Sequence, residues 1–243
     1  PYGLRPRSPA GLAFFLSSAT RALRLRRCYG WTAFAIVLLA LTRNVVLAMA
    51  PVILLHGAVR WRARADDEFP TRERVAVGGV AGLCVAVAGL WPGMAAVFTG
   101  EASAYTDTMA GWGGGLRVLT GWSQTFANRA GPAGLLLFFV LLVVFLALLA
   151  QPGPRRWGPE LWGWAVSYPL YLVLATAVGS STPRHMLLTF PLSLLAVDII
   201  RSMNSRMIQM AMLAITVGGG LALQWFWVAD FLVVTDPARQ LFP

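Results

Sequence analysis

The chain has 243 residues, of which 57% are hydrophobic and only 12% charged, and its mean hydropathy is +0.64. Apolar stretches recur along the whole length, which excludes a water-soluble core and predicts an all-α, polytopic transmembrane helix bundle forming one domain over residues 1–243. The net charge of +10 comes from twenty Arg and no Lys against ten acidic residues; most of the Arg lie in short loops between apolar runs, where they orient a membrane protein rather than bind nucleic acid.

In chain order, an apolar stretch over residues 9–23 runs into the basic cluster 21–27. Two short runs follow, 31–41 and 45–59, and Arg43 sits between them. If the basic clusters on either side share one membrane face, the two runs form a hairpin whose tip carries Arg43 to the other face. The polar segment 60–74 precedes a full-length span at 75–98, in which Gly78 and Gly82 have the small-xxx-small spacing of close helix contacts and Pro92 predicts a kink. The longest polar stretch is 99–132, expected as an extracytoplasmic loop, and 133–150 is an uncharged span. The turn at 152–156 leads to spans at 161–178, 186–200 and 207–228, which makes about eight membrane segments. The loops 21–27, 60–74, 155–156 and 201–206 hold thirteen Arg and the opposite loops and termini seven, so the first set is expected to be cytoplasmic. Cys28 and Cys84 imply no disulfide framework, and Pro1 with no leader pattern reads as the carboxy-terminal part of a longer protein.

Arg43 is the first candidate for chemistry, because a cation inside an apolar region costs roughly 2.5–3.5 kcal/mol on insertion scales. It either contacts a lipid phosphate at the outer mouth of the bundle or snorkels to the interface at a hairpin tip. Residues 180–185 crowd hydroxyls, Arg184 and His185 at a helix start expected on the same face, an arrangement that favours anions; Ser/Thr capping explains part of it. In the loop 99–132, which also holds Tyr105, either Glu101 or Asp107 is a possible base against the plainer reading of solvated loop residues. Trp112, Trp122, Trp225 and Trp227 read as interfacial residues and His56 as structural. With two His and no metal-ligand spacing, phosphate loop or nucleophile elbow, the sequence points to no metal and no cofactor.

Three phrases carry a family resemblance. Leu39-Ala40-Leu41-Thr42-Arg43 with the following apolar run to Arg60-Trp61-Arg62 resembles a helix hairpin of the multi-span, polyprenyl-phosphate-sugar-dependent glycosyltransferases of the GT-C class. Ser181-Thr182-Pro183-Arg184-His185-Met186-Leu187-Leu188-Thr189-Phe190-Pro191-Leu192 looks like the late helix start of that class, with His185 standing where the class has an aromatic residue. Pro6-Arg7-Ser8-Pro9-Ala10 is similar to the helix that follows the class's main loop. Within the class, Trp91-Pro92 and Ala104-Tyr105-Thr106-Asp107-Thr108-Met109 look most like the PIG-V-type mannosyltransferases and their actinobacterial relatives. The resemblance implies sugar transfer, of mannose, from a polyprenyl-phosphate donor to a lipid-linked or glycan acceptor on the outer face of a bacterial plasma membrane. It also implies donor-phosphate binding by Arg43 and Arg184, with His185, Asp107 and Tyr105 as further contacts, and a catalytic carboxylate upstream of this chain. Rival readings from the residues are a transporter or lipid flippase, and a non-catalytic membrane scaffold.

Overall fold

The computed structural model describes residues 28–42, 45–111, 119–176, 178 and 182–229, which are mostly helical with no strand among them. The helices are α1 (Tyr29–Thr42), α2 (Met49–Arg62), α3 (Thr71–Ala88), α4 (Leu90–Thr99), α5 (Ala104–Gly111), α6 (Thr120–Ala150), α7 (Pro152–Arg155), α8 (Pro159–Ala175), α9 (Thr182–Met186), α10 (Leu192–Arg201) and α11 (Arg206–Trp227). Among the described residues three stretches are long and apolar enough to cross a membrane: Thr71–Thr99, Thr120–Ala150 and Arg206–Phe226. The remaining apolar helices are shorter.

The core is built around α2, which packs against α3 on one side and α8 on the other, with α1 laid along α3. Ile36, Leu39, Val46, Met49, Ile53, Cys84, Trp164 and Tyr168 are fully enclosed there. In lipid, such contacts hold by packing and interhelical hydrogen bonds rather than by escape from water, so close approach matters most. Two glycines provide it. A Cβ on Gly57 would lie 2.9 Å from Val77 of α3, and one on Gly163 of α8 would lie 3.0 Å from Leu55 of α2. Gly78 and Gly82, expected at a helix contact from their spacing, instead face open space. Spacing marks a small stripe but not which way it is turned.

Hydrogen bonds fix the directions. Tyr29 at the start of α1 reaches His56 near the end of α2, so the two run antiparallel as the hairpin reading expects. The Trp91 indole donates to the Ala40 carbonyl at 2.9 Å, which aligns α3–α4 with α1. At its start α8 meets the end of α2 through Glu160, and farther along Ser167 donates to the Ala48 carbonyl. Trp162 donates to the Leu149 carbonyl and Trp122 to Thr176 Oγ1, so α6 runs antiparallel to α8. Trp157 donates to Asp198, which brings the end of α10 to the turn after α6. The basic segments 60–74, 155–156 and 201–206 therefore gather at one end of the bundle; residues 21–27 lie outside the described residues.

Breaks fall where the chemistry demands them. Gly89 interrupts α3–α4 three residues before Pro92, whose missing N–H and ring oppose continuation of the helix. In α6, Ala130 and Gly131 (φ +56°) leave helical geometry just before Pro132, so the uncharged portion starts where the sequence places it. Within 99–132, residues 104–111 and 120–129 are helical. The expected span 186–200 is broken: a 3₁₀ turn (Leu187–Thr189) and a turn at Phe190–Pro191 leave α10 with ten residues. Pro191 supplies no N–H there to continue the ladder.

Candidate functional site

The end of the bundle away from the basic segments brings two of the sequence-predicted residues, His185 and Tyr105, toward α8. On this helix Trp164 stacks on Tyr168 at 4.8 Å, and Tyr171 follows 6.3 Å from Tyr168. Against this aromatic row lies the segment from α9 to Pro191. Tyr168 donates its hydroxyl to the His185 carbonyl at 3.1 Å, and Trp164 its indole N–H to the Leu188 carbonyl at 2.7 Å. Tyr105 of α5 lies within electrostatic reach of Tyr171. The turn Val46–Ala48 packs on α8 through the Ser167–Ala48 hydrogen bond. Two separate segments, 45–48 and 185–188, thus meet one helix, with Tyr105 within electrostatic reach of it.

Asp107 is on the same short helix as Tyr105 but exposed. His185 is half-buried. Arg184 belongs to α9 by its backbone, while its side chain and Arg43 lie outside what the structure describes. Trp122, read from sequence as interfacial, is a helix–helix tie through Thr176, and Trp225 is exposed. Trp112 and the Trp227 side chain lie outside the described residues.

The opposite end holds a polar chain that sequence reasoning missed. His56 Nδ1 is 2.6 Å from Glu160 Oε1, and both side chains are buried. The other ring nitrogen, Nε2, is 3.2 Å from the Tyr29 hydroxyl, which donates to Glu73 Oε1 at 2.8 Å. Glu73 Oε2 then accepts from Arg60 at 3.3 Å, and Arg60 also pairs with Asp67 and donates to the Glu68 carbonyl. Burial opposes the Arg60 charge, but hydrogen bonds to Glu73 and Asp67 outweigh it and raise the guanidinium above its ordinary pKa. The sequence held one signal for this chain. His56 and Arg60 are four apart, on one face of an otherwise apolar helix. Their partners are 104 residues away at Glu160 and 13 away at Glu73, a pairing that no local pattern reveals. Among the described residues no group of three His, Cys, Asp or Glu converges as a metal site.

Comparison with protein-family models, curated proteins and solved structures finds no match to this chain.

Proposed function

We propose that the chain is the lipid-binding part of a multi-span glycosyltransferase of the GT-C class, similar to PIG-V-type mannosyltransferases. It transfers a sugar, mannose, from a polyprenyl-phosphate donor to a lipid-linked or glycan acceptor. The bundle has about eight membrane segments in a bacterial plasma membrane, with the basic segments 60–74, 155–156 and 201–206 cytoplasmic. In this reading Arg43 and Arg184 hold the donor phosphate, and His185, Tyr105 and Asp107 contribute at its edge. The observation that supports it is the convergence on α8. The chain on the α2 side of Arg43 and the helix containing Arg184 and His185 come from distant parts of the sequence and both hydrogen-bond to α8, at Ser167 and Tyr168, with Tyr105 within electrostatic reach of Tyr171.

A second reading, a transporter or lipid flippase, is favoured by the buried Glu160–His56–Tyr29–Glu73 chain, because ionisable groups among membrane helices commonly mark ion or proton paths. One experiment separates the two. Full-length protein in membranes is supplied with labelled polyprenyl-phosphate-mannose, and wild type is compared with Arg43→Ala and Arg184→Ala at matched expression. Each substitution removes a charge-assisted contact and is expected to lower transfer about ten- to a hundredfold. Transfer that survives both discards this phosphate site. No transfer in any arm, together with lipid movement that depends on a pH gradient, moves the function to the transporter.

A further inference from the structure

At the other end of the bundle from the α8 convergence, the connection between α2 and α3 forms an open cleft of about 590 Å³. Arg62, Arg64 and Arg74 line it, with Phe69 and Pro70 as its apolar side and Glu68 as its carboxylate. Arg60 occupies the neighbouring carboxylates, Asp67 and Glu73. That leaves Arg62, Arg64 and Arg74 without an ion pair among the described residues.

Two of these cations are held in place without being neutralised. The Arg64 guanidinium stacks over the Trp61 ring at 4.4 Å and donates to the Trp61 carbonyl. The Arg74 guanidinium stacks over the same ring at 4.5 Å and donates through Nε to the Phe69 carbonyl. Two like charges sharing one indole repel each other. Arg74 also sits in the first turn of α3, beside the positive end of the helix dipole, where a cation is disfavoured by about 0.3–1 kcal/mol. Glu73, the acidic residue of that turn, is spent on Tyr29 and Arg60. An oxyanion in the cleft relieves both strains.

Its depth identifies the kind of oxyanion. The stretch Thr71–Thr99 is long and apolar enough to cross a membrane, so the cleft lies where that stretch leaves the hydrocarbon. Trp61, half-exposed beside it, has the amphipathic ring that favours the headgroup layer. We propose that this cleft binds the phosphate of an anionic lipid headgroup, gripped by Arg64 and Arg74 on Trp61, with Arg62 at the rim. The site is independent of the sugar-donor reading and stands at the opposite end of the bundle.

The test uses the full chain, purified in a neutral maltoside detergent. Retained lipid is counted by native mass spectrometry, and the thermal midpoint is followed against phosphatidylglycerol, phosphatidylcholine and inorganic phosphate. Phosphatidylglycerol is expected to bind and raise the midpoint where phosphatidylcholine does not. At about 1 kcal/mol per arginine, Arg64→Gln with Arg74→Gln weakens it roughly thirtyfold. Arg155→Gln with Arg201→Gln, an equal loss of charge at the same end, leaves it unchanged. The exposed Arg62→Gln gives about a fivefold loss should the double variant not fold, and Glu68→Gln tightens binding. Inorganic phosphate that stabilises as well as the lipid keeps the site and makes free phosphate its source. Wild type that prefers neither phosphatidylglycerol nor phosphate over phosphatidylcholine, or an equal loss in the Arg155/Arg201 control, overturns the proposal.

Discussion

His56 and Glu160 show how much a single buried pair asks of its neighbours. Each has the other as a close partner in a site with almost no access to water, and Tyr29 closes the far side of the imidazole. Removing one partner takes a buried hydrogen bond from the other, which costs about 1–3 kcal/mol. Replacing both by apolar residues of similar size avoids that penalty. His56→Leu and Glu160→Leu alone are therefore expected each to lower stability, and the double variant to lose less than their sum. A double-mutant cycle on unfolding in detergent measures the coupling; a coupling near zero would show that the pair does not act as a unit. The tryptophans follow the same rule by other means. Trp91, Trp122, Trp157, Trp162 and Trp164 each bring an indole N–H to an acceptor on another element.

At the scale of helices, the sequence pattern located most elements and misjudged their faces. The hairpin on either side of Arg43, the break ahead of Pro92 and the start of the uncharged part of α6 were legible because apolar runs, proline and glycine act locally. The break in 186–200 was missed because its hydropathy is continuous while Pro191 interrupts the backbone ladder. Which glycines meet a neighbour was not legible at all, since rotation about a helix axis depends on what packs beside it. That distinction is measurable. Gly163→Leu must push into Leu55 and Val52 of α2 and is expected to cost about 1–3 kcal/mol, whereas Gly78→Leu enters open space and is expected to be tolerated. Thermal unfolding of the two variants checks it, and equal losses would mean that α2 and α8 are not in close contact.

For the molecule as a whole, the fold gathers three basic segments at one end, while the candidate site residues Tyr105 and His185 lie toward the other. Membrane orientation follows if the positive end faces the cytoplasm. With Cys28→Ser and Cys84→Ala as background, cysteines placed at Arg64, Arg155 and Ser202 are expected to react with an impermeant maleimide only after the membrane is opened. A cysteine at Asp107 is expected to react in intact cells, and labelling of positions 64 and 107 from the same side would refute the orientation. The candidate site was only partly legible from sequence. Its segments were singled out one by one, but their meeting depends on α8, which the sequence marks only as an apolar run. The joint between α2 and α8 also sets an order of events in the making of the protein. His56 and Glu160 are 104 residues apart, and a ribosome adding about 5–20 residues per second needs roughly 5–20 s to cover that distance. Throughout that interval the residues that join α1, α2 and α3, Tyr29, His56 and Glu73, are already in the chain, while the carboxylate partner of the imidazole is not. Only the synthesis of α8 lets the pair close.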